Sequence, residues 1–248
     1  MKILDKINLG LQSYCLREFT QKEALVEKLK ECGLDTVEIC GVHVDFHNSE
    51  QVDEIIAYLK ENGITINSAG VNSFTSDESS TRDYFEFAKK AGLSSLSASI
   101  EEDAFDLCER LCVEYGVKLA IHNHGKHDIL YGTFDLLKNT IDRTSSNIGI
   151  CLDTAWMIDA GDDPVEAIYT FKDRIYGIHF KDFAYDDGNR EEAIYGEGSL
   201  DSVGVIKALK DIGFKGYASI EYEGEPEKPI HNIKKCIYNL TKQELSFR

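Results

Sequence analysis

Positive charge is scarce in this chain. Its 248 residues carry 27 Lys and Arg against 44 Asp and Glu, a formal charge of −17. Duplex DNA and anionic membrane surfaces would repel such a protein, so no nucleic acid and no membrane is expected as its main partner. Long apolar runs are missing too; the stretches reach only a few residues, far short of the roughly 20 needed to span a bilayer. The opening Met1-Lys2-Ile3-Leu4-Asp5-Lys6 has no apolar segment of the kind a secretory signal carries. No Cys-x-x-Cys occurs, and the seven cysteines (15, 32, 40, 108, 112, 151 and 236) are odd in number. That fits reduced thiols in a cytoplasmic protein better than a disulfide framework. Cys108 and Cys112 lie one helical turn apart with nothing nearby to complete a metal site, and read as core. Only three prolines occur (164, 226 and 229), and no linker or low-complexity tract divides the chain. Residues 1–248 therefore read as one domain, with 42% hydrophobic residues to build its core.

What is present is a recurring phrase. An amphipathic helix ends in a charged residue, one more residue, Gly and an apolar residue, then runs into a β-type segment. It occurs at Glu31-Cys32-Gly33-Leu34, Glu61-Asn62-Gly63-Ile64, Lys90-Ala91-Gly92-Leu93, Glu114-Tyr115-Gly116-Val117 and Asp211-Ile212-Gly213-Phe214. The glycine suits the left-handed residue that closes a helix. Spacings of 30, 29 and 24 residues between the first four glycines are those of βα units. The pattern predicts strands at 7–14, 36–41, 64–71, 94–100, 118–124, 148–154, 175–182 and 217–223. Helices are predicted at 20–32, 50–62, 78–91, 101–115, 132–144, 163–173, 201–212 and 229–245. Strict alternation implies an α/β fold with a parallel sheet, and eight units fit a closed (β/α)8 TIM barrel with helices outside. An open doubly wound sheet would show a Gly-rich first turn, which Leu9-Gly10-Leu11-Gln12-Ser13-Tyr14 is not.

Active sites of such barrels sit at the C-terminal strand ends, and strand parity says which residues face inward. Turning Leu119 and Ile121 toward the helices leaves His122 and His124 inside. The same rule places Cys151 and Asp153, then His179 and Lys181, then Glu221 and Glu223, inside; on the second strand it places Glu38 and Cys40 there. Four consecutive strands thus end in inward polar residues at one level: His122, Asp153, His179 and Glu221. Two imidazoles facing two carboxylates make a divalent-metal cage, which offsets the cost of burying charge in the barrel mouth. Buried His–carboxylate pairs that merely hold the barrel together are the alternative. The mixed donors favour Mn, Fe, Co or Zn over Ca, with Mn expected first and Mg also admitted.

Along the predicted strands and loops run Gly10-Leu11-Gln12-Ser13-Tyr14-Cys15-Leu16-Arg17, Val37-Glu38-Ile39-Cys40-Gly41, Ile121-His122-Asn123-His124, Leu152-Asp153-Thr154-Ala155-Trp156, Ile178-His179-Phe180-Lys181-Asp182, Gly196-Glu197-Gly198 and Ile220-Glu221. Through these strings the chain resembles the sugar phosphate isomerase/epimerase family of xylose-isomerase-like barrels over essentially its whole length. The resemblance implies that Asp153, His179 and Glu221 fill three of the family's four ligand places. At the first place the family's Glu-Asn-His reads His122-Asn123-His124, so only Glu221 remains of the paired acid/base glutamates. The resemblance implies a sugar isomerase or epimerase that moves a proton beside a keto-sugar carbonyl through a metal-stabilised enediolate. A lyase or dehydratase on an inosose or 3-keto-glycoside, eliminating from the same enediolate, is the alternative; a non-catalytic sugar-binding or partner subunit is another. An abasic-site endonuclease on the related fold would need a basic groove, which the charge argues against.

In such a reaction Glu221 is expected as the base, or as a ligand alone. His124 reads as a second acid/base, a substrate contact, a supporting hydrogen-bond partner or an alternative ligand. Lys181 would stabilise an oxyanion or contact a hydroxyl, or else pair with Glu223 or Asp153. Glu38 would bind hydroxyls or supply the missing second acid/base. Gln12, Tyr14, Arg17 and Trp156 are candidate sugar contacts, although Arg17 also reads as a surface residue and Trp156 as core. The long connection 182–199 reads as a lid or binding loop from which Glu197 and Arg190 reach the substrate. His43, His47 and His127 are candidates for the pocket rim. The expected partner is a small sugar or keto-sugar, with a homo-oligomer or a small second subunit also in view.

Overall fold

The computed structural model describes residues 1–4 and 7–246. Eight parallel strands form the wall: β1 (Ile7–Gln12), β2 (Thr36–Ile39), β3 (Thr65–Ala69), β4 (Ser95–Ile100), β5 (Lys118–His122), β6 (Ile148–Asp153), β7 (Ile175–Phe180) and β8 (Tyr217–Ile220). Outside them lie α1 (Lys22–Glu31), α2 (Ser49–Glu61), α3 (Glu78–Ala91), α4 (Phe105–Tyr115), α5 (Phe134–Arg143), α6 (Thr154–Ala160), α7 (Pro164–Thr170), α8 (Ser202–Asp211) and α9 (Ile230–Leu245). Pairing runs β3-β2-β1-β8-β7-β6-β5-β4, the order of a TIM barrel. The helix-closing glycines 33, 63, 92, 116 and 213 all take left-handed φ, between +63° and +76°.

The inside/outside division is written in the packing. Leu119, Ile121, Ile150, Leu152, Ile178, Phe180, Ala218 and Ile220 join the main core between strands and helices, whereas Ala120, Cys151 and Tyr217 form a separate small cluster. Tyr176 is an exception to the parity rule. Alternation from the inward His179 would put it on the helix side with Ile178 and Phe180, but β6 and β7 shift register there, Ile150 facing Ile175 and Cys151 facing Gly177. The skipped Tyr176 packs against the inner cluster instead.

Three local features depart from the expected elements. The third strand does not run unbroken over 64–71: β3 pairs with β2, and a second piece, Asn72–Phe74, pairs with β4 and closes the barrel. Gly70 sits at the break with φ +151°, and a Cβ there would lie 2.4 Å from the Ser97 carbonyl oxygen. The backbone groups freed by the break are recovered by side chains. Gln12 Nε2 donates to Gly70 O at 2.9 Å, and Asn72 Nδ2 to Ala69 O at 3.3 Å. Next, the short helix α6 was not anticipated; Asp153 caps its N-terminus. Finally, the connection 182–199 begins with an antiparallel hairpin, Asp182–Asp186 with Asn189–Ala193. Its base is pinned by the buried Asp182 carboxylate, which accepts from the N–H groups of Gly196, Gly198 and Leu200 at 3.0, 3.0 and 3.1 Å.

Gly70 and Gly92 separate conformational strain from steric contact. Gly92 has φ +70° but nothing within 4 Å of an added Cβ. Gly92→Ala should cost about 1 kcal/mol, and Gly70→Ala, which adds a backbone collision, about 2–4 kcal/mol. Urea unfolding of both variants measures the difference; equal losses would contradict it.

Candidate metal centre

His122 ends β5, Asp153 ends β6, His179 lies near the end of β7 and Glu221 follows β8. The barrel brings one donor atom of each to a common centre, all within 4.8 Å of one another. His122 Nε2 lies 3.0 Å from His179 Nδ1, 3.5 Å from Asp153 Oδ2 and 3.9 Å from Glu221 Oε2. His179 Nδ1 lies 4.0 Å from Asp153 Oδ2 and 2.6 Å from Glu221 Oε2. Donors bound at about 2.0–2.2 Å around a tetrahedral ion would be spaced by roughly 3.3 Å, the middle of that range. All four residues are buried.

Three of the four donors are aimed by a partner on the other side. His179 Nε2 faces Glu38 Oε2 at 2.7 Å, which places a proton on Nε2 and turns Nδ1 to the centre. Asp153 uses Oδ1 to accept from the N–H groups of Ala155 and Trp156, both at 2.9 Å, leaving Oδ2 free. Asn123 clamps the Asp153 backbone from β5, donating to its carbonyl at 3.0 Å and accepting from its N–H at 2.9 Å. Lys181 Nζ holds Glu221 Oε1 at 3.5 Å. The consequence is that Asp153 Oδ2 and Glu221 Oε2 are buried with no donor from outside the ring, only its imidazoles approaching them. Such orphaned carboxylate oxygens are costly, and beside two imidazole nitrogens they fit a divalent cation.

The charges agree with that purpose. Burial and His179 push His122 down to about 3, so it is a neutral donor. Burial pushes the Asp153 carboxyl up to about 6. Burial also opposes the charged form of Glu221, but Lys181 and His179 prevail and hold its carboxyl well below the usual range. For His179 burial favours the neutral ring, yet Cys151, Glu38 and Glu221 outweigh it and raise its pKa well above the ordinary value.

Above the ring opens a cavity of about 480 Å³, lined by Gln12, Tyr14, Cys40, Gly70, Val71, His124, Trp156, Glu221 and Glu223 among others. Of the expected substrate and acid/base residues, Gln12, Tyr14, Trp156, His124 and Glu221 therefore reach it. His124 Nδ1 is 3.5 Å from His122 Nδ1. Partial enclosure and His122 lower the His124 pKa, a shift limited by its exposure to solvent.

Position decides among the readings of four other residues. Glu38 is fully buried below the ring, engaged by His179, by Ser219 Oγ at 2.8 Å and by Ser97 Oγ, so it orients His179 and does not face the cavity. Lys181 has no exposed side-chain surface; it contacts Glu223 closely and lies 3.8 Å from Glu192 Oε1. Arg17 stacks on Tyr14 and donates to the Glu223 carbonyl at 2.7 Å. Glu197 is exposed and accepts from Asn239 of α9 at 3.2 Å, away from the cavity. Arg190 lies 4.3 Å over the Trp156 ring and 3.3 Å from Asp159. Of the rim histidines, His43 lies 3.2 Å from Ser13 Oγ, His47 pairs with Asp83 at 2.8 Å, and His127 is exposed. Glu192, overlooked in the sequence, reaches Lys181 from the second hairpin strand, and burial raises its carboxyl to about 7. Nothing in that charged, Gly-containing stretch marked a strand.

The profile of the xylose isomerase-like TIM barrel family matches residues 96–240, more than half of the chain. The protein belongs to that family. Among its relatives is an inosose dehydratase of Geobacillus kaustophilus, 26% identical over 140 residues, which are 50% of this chain and 45% of that one. The match thus spans less than half of that relative's length. Two solved structures show the same fold over nearly the whole chain. A sugar phosphate isomerase/epimerase of Parabacteroides distasonis superposes with TM-score 0.73 at 20% identity, covering 96% of this chain and 98% of the other. A protein named IOLI, crystallised with a zinc atom, gives TM-score 0.72 at 20% identity, covering 96% and 99%.

Because a seated cation replaces the proton on His179 Nδ1, binding should release one proton. Divalent-metal affinity should then rise about tenfold per pH unit from about pH 7 to about 8, and more steeply near pH 6, where the Asp153 carboxyl also has a proton to lose. Glu38→Gln, which removes the carboxylate behind His179, should weaken binding about 10–100-fold. Calorimetry in buffers of different ionisation enthalpy measures both; pH-independent binding would contradict the reading of His179.

Proposed function

We infer that this barrel removes the proton beside the carbonyl of a keto-sugar or inosose, as a metal-dependent enzyme built from one domain, residues 1–248. The observation that carries the reading is the coincidence of two features. Glu221 belongs to the four-donor ring and also lines the cavity above it. A divalent cation in the ring supplies Lewis acidity toward a carbonyl and its neighbouring hydroxyl; Mn is the expected ion, and the zinc of IOLI supports a divalent metal in general. Asp153 and His179, held by α6 and Glu38, keep the ring rigid. Glu221 takes the proton on Oε1, since Oε2 faces the ring donors, and Lys181 at 3.5 Å from Oε1 keeps the carboxylate from rotating away. His124, at the cavity wall, is placed to hydrogen-bond the substrate or return a proton.

The proton returns in an isomerase or epimerase. A second outcome, loss of a β-hydroxyl as water, is favoured by a specific arrangement. Epimerisation needs proton-transfer groups on opposite faces, and here the carboxylates that line the cavity, Glu221 and Glu223, follow the same strand. The inosose dehydratase relative supports elimination as well.

Incubation of the Mn-loaded protein with keto-sugars and inososes in D2O should place deuterium beside the carbonyl. Product mass then separates the outcomes, since elimination lowers it by one water. Glu221→Gln should slow exchange by about 10²–10⁴-fold. No exchange with any keto-polyol would overturn the enolisation reading.

A further inference from the structure

Among the described residues, no lysine or arginine lines the cavity. Three cations that touch its lining residues are already engaged. Lys181 is enclosed by Glu221, Glu223 and Glu192 and roofed by the Trp156 and Phe183 rings at 5.6 and 5.7 Å. Arg190 is occupied by Asp159 and the Trp156 ring. Arg17 spends its guanidinium on the carbonyls of Glu223, at 2.7 Å, and Tyr14, at 3.3 Å. The N-terminus of α6, which also borders the cavity, has its N–H groups at Ala155 and Trp156 taken by Asp153. The usual receptors for phosphate and carboxylate are basic side chains and free helix N-termini, and none is open here. The carboxylates Glu38, Asp153, Glu221 and Glu223, with the partly protonated Glu192, leave no net positive charge once Lys181, Arg17 and one divalent ion are counted.

Glu223 stands out in this setting. It lines the cavity, retains 28% of its side-chain surface, and meets Lys181 through Oε1 alone. Its backbone is fixed at both ends, the carbonyl by Arg17 and the N–H by Glu192 Oε2 at 3.4 Å. A carboxylate so held accepts from hydroxyl groups and repels anions.

We propose that Glu223 is a substrate-contacting residue which receives sugar hydroxyls and makes the cavity select uncharged polyhydroxy ketones over phosphorylated or carboxylated ones. The proposal rests on the reading of this cavity as the substrate site, and names the class of substrate it admits.

Trp156 is the only tryptophan in the sequence and lines the cavity, so its fluorescence reports binding without turnover. The Mn-loaded full chain is titrated with D-fructose, D-psicose and 2-keto-myo-inositol, and with the phosphates of the two ketoses. A neutral probe should bind at least about tenfold tighter than its phosphate, and Glu223→Gln should weaken that binding about tenfold. Should the Gln variant not fold, Glu223→Asp keeps the charge opposite Lys181, and weakened binding of the neutral probe is again the expected result. A phosphate that binds as tightly as its parent, an unchanged Kd in a folded Glu223 variant, or no response to any neutral probe overturns the proposal. Solvent-deuterium exchange followed on the same samples keeps the two ideas apart. Selective binding without exchange would sink the enolisation reading alone, and exchange that prefers phosphates would sink the selectivity alone.

Discussion

Everything in this structure answers to the cost of holding ionisable groups out of water at the centre of a barrel. Two carboxylates and two imidazoles converge where no solvent compensates them; His122 is neutral, and the other three are engaged on the far side. Glu38 balances His179, the α6 N-terminus and Asn123 balance Asp153, and Lys181 balances Glu221. The near sides are left unsatisfied, at Asp153 Oδ2 and Glu221 Oε2. An interior made only for stability would pair these atoms; the unpaired convergence is what singles the place out.

The same economy explains the local irregularities. The third strand breaks at Gly70, and Gln12, expected as a sugar contact, is partly committed to the carbonyl exposed by that break. The short helix α6 exists where it does because Asp153 caps it, so one side chain both starts a helix and supplies a donor. The hairpin after β7 is anchored by Asp182 and carries Glu192 back over Lys181, covering the strand ends on that side.

How much of this was legible in the sequence follows from period and parity. Strand period and the helix–Gly–strand phrase marked all eight barrel strands, because alternating burial leaves a signal at every second residue. His122, Asp153, His179 and Glu221 were found together because that alternation, carried to the strand ends, puts them at one level. Partners across the barrel carried no such signal. Glu38 was placed inside correctly, but parity gives direction and not depth, and the carboxylate lies beneath the ring rather than beside the cavity. Tyr176 escaped the rule through a register shift, and Glu192 through a hairpin with no apolar alternation. Glu197 belonged to a resemblance that the conformation of its loop does not turn toward the site.

The enclosure of Lys181 has a further chemical meaning. Ketones and free amines condense to imines, and an enzyme that holds a keto-sugar risks trapping it on any neutral lysine within reach. Here the ammonium is walled in by three carboxylates and two aromatic rings. Burial alone would favour the neutral amine, but Glu221, Asp153 and their neighbours reverse this and raise its pKa above the ordinary value. The nitrogen stays protonated and without a lone pair to attack. The barrel thereby gains a positive charge beside the four-donor ring while withholding a nucleophile from the cavity, which under the proposed function would receive a ketone.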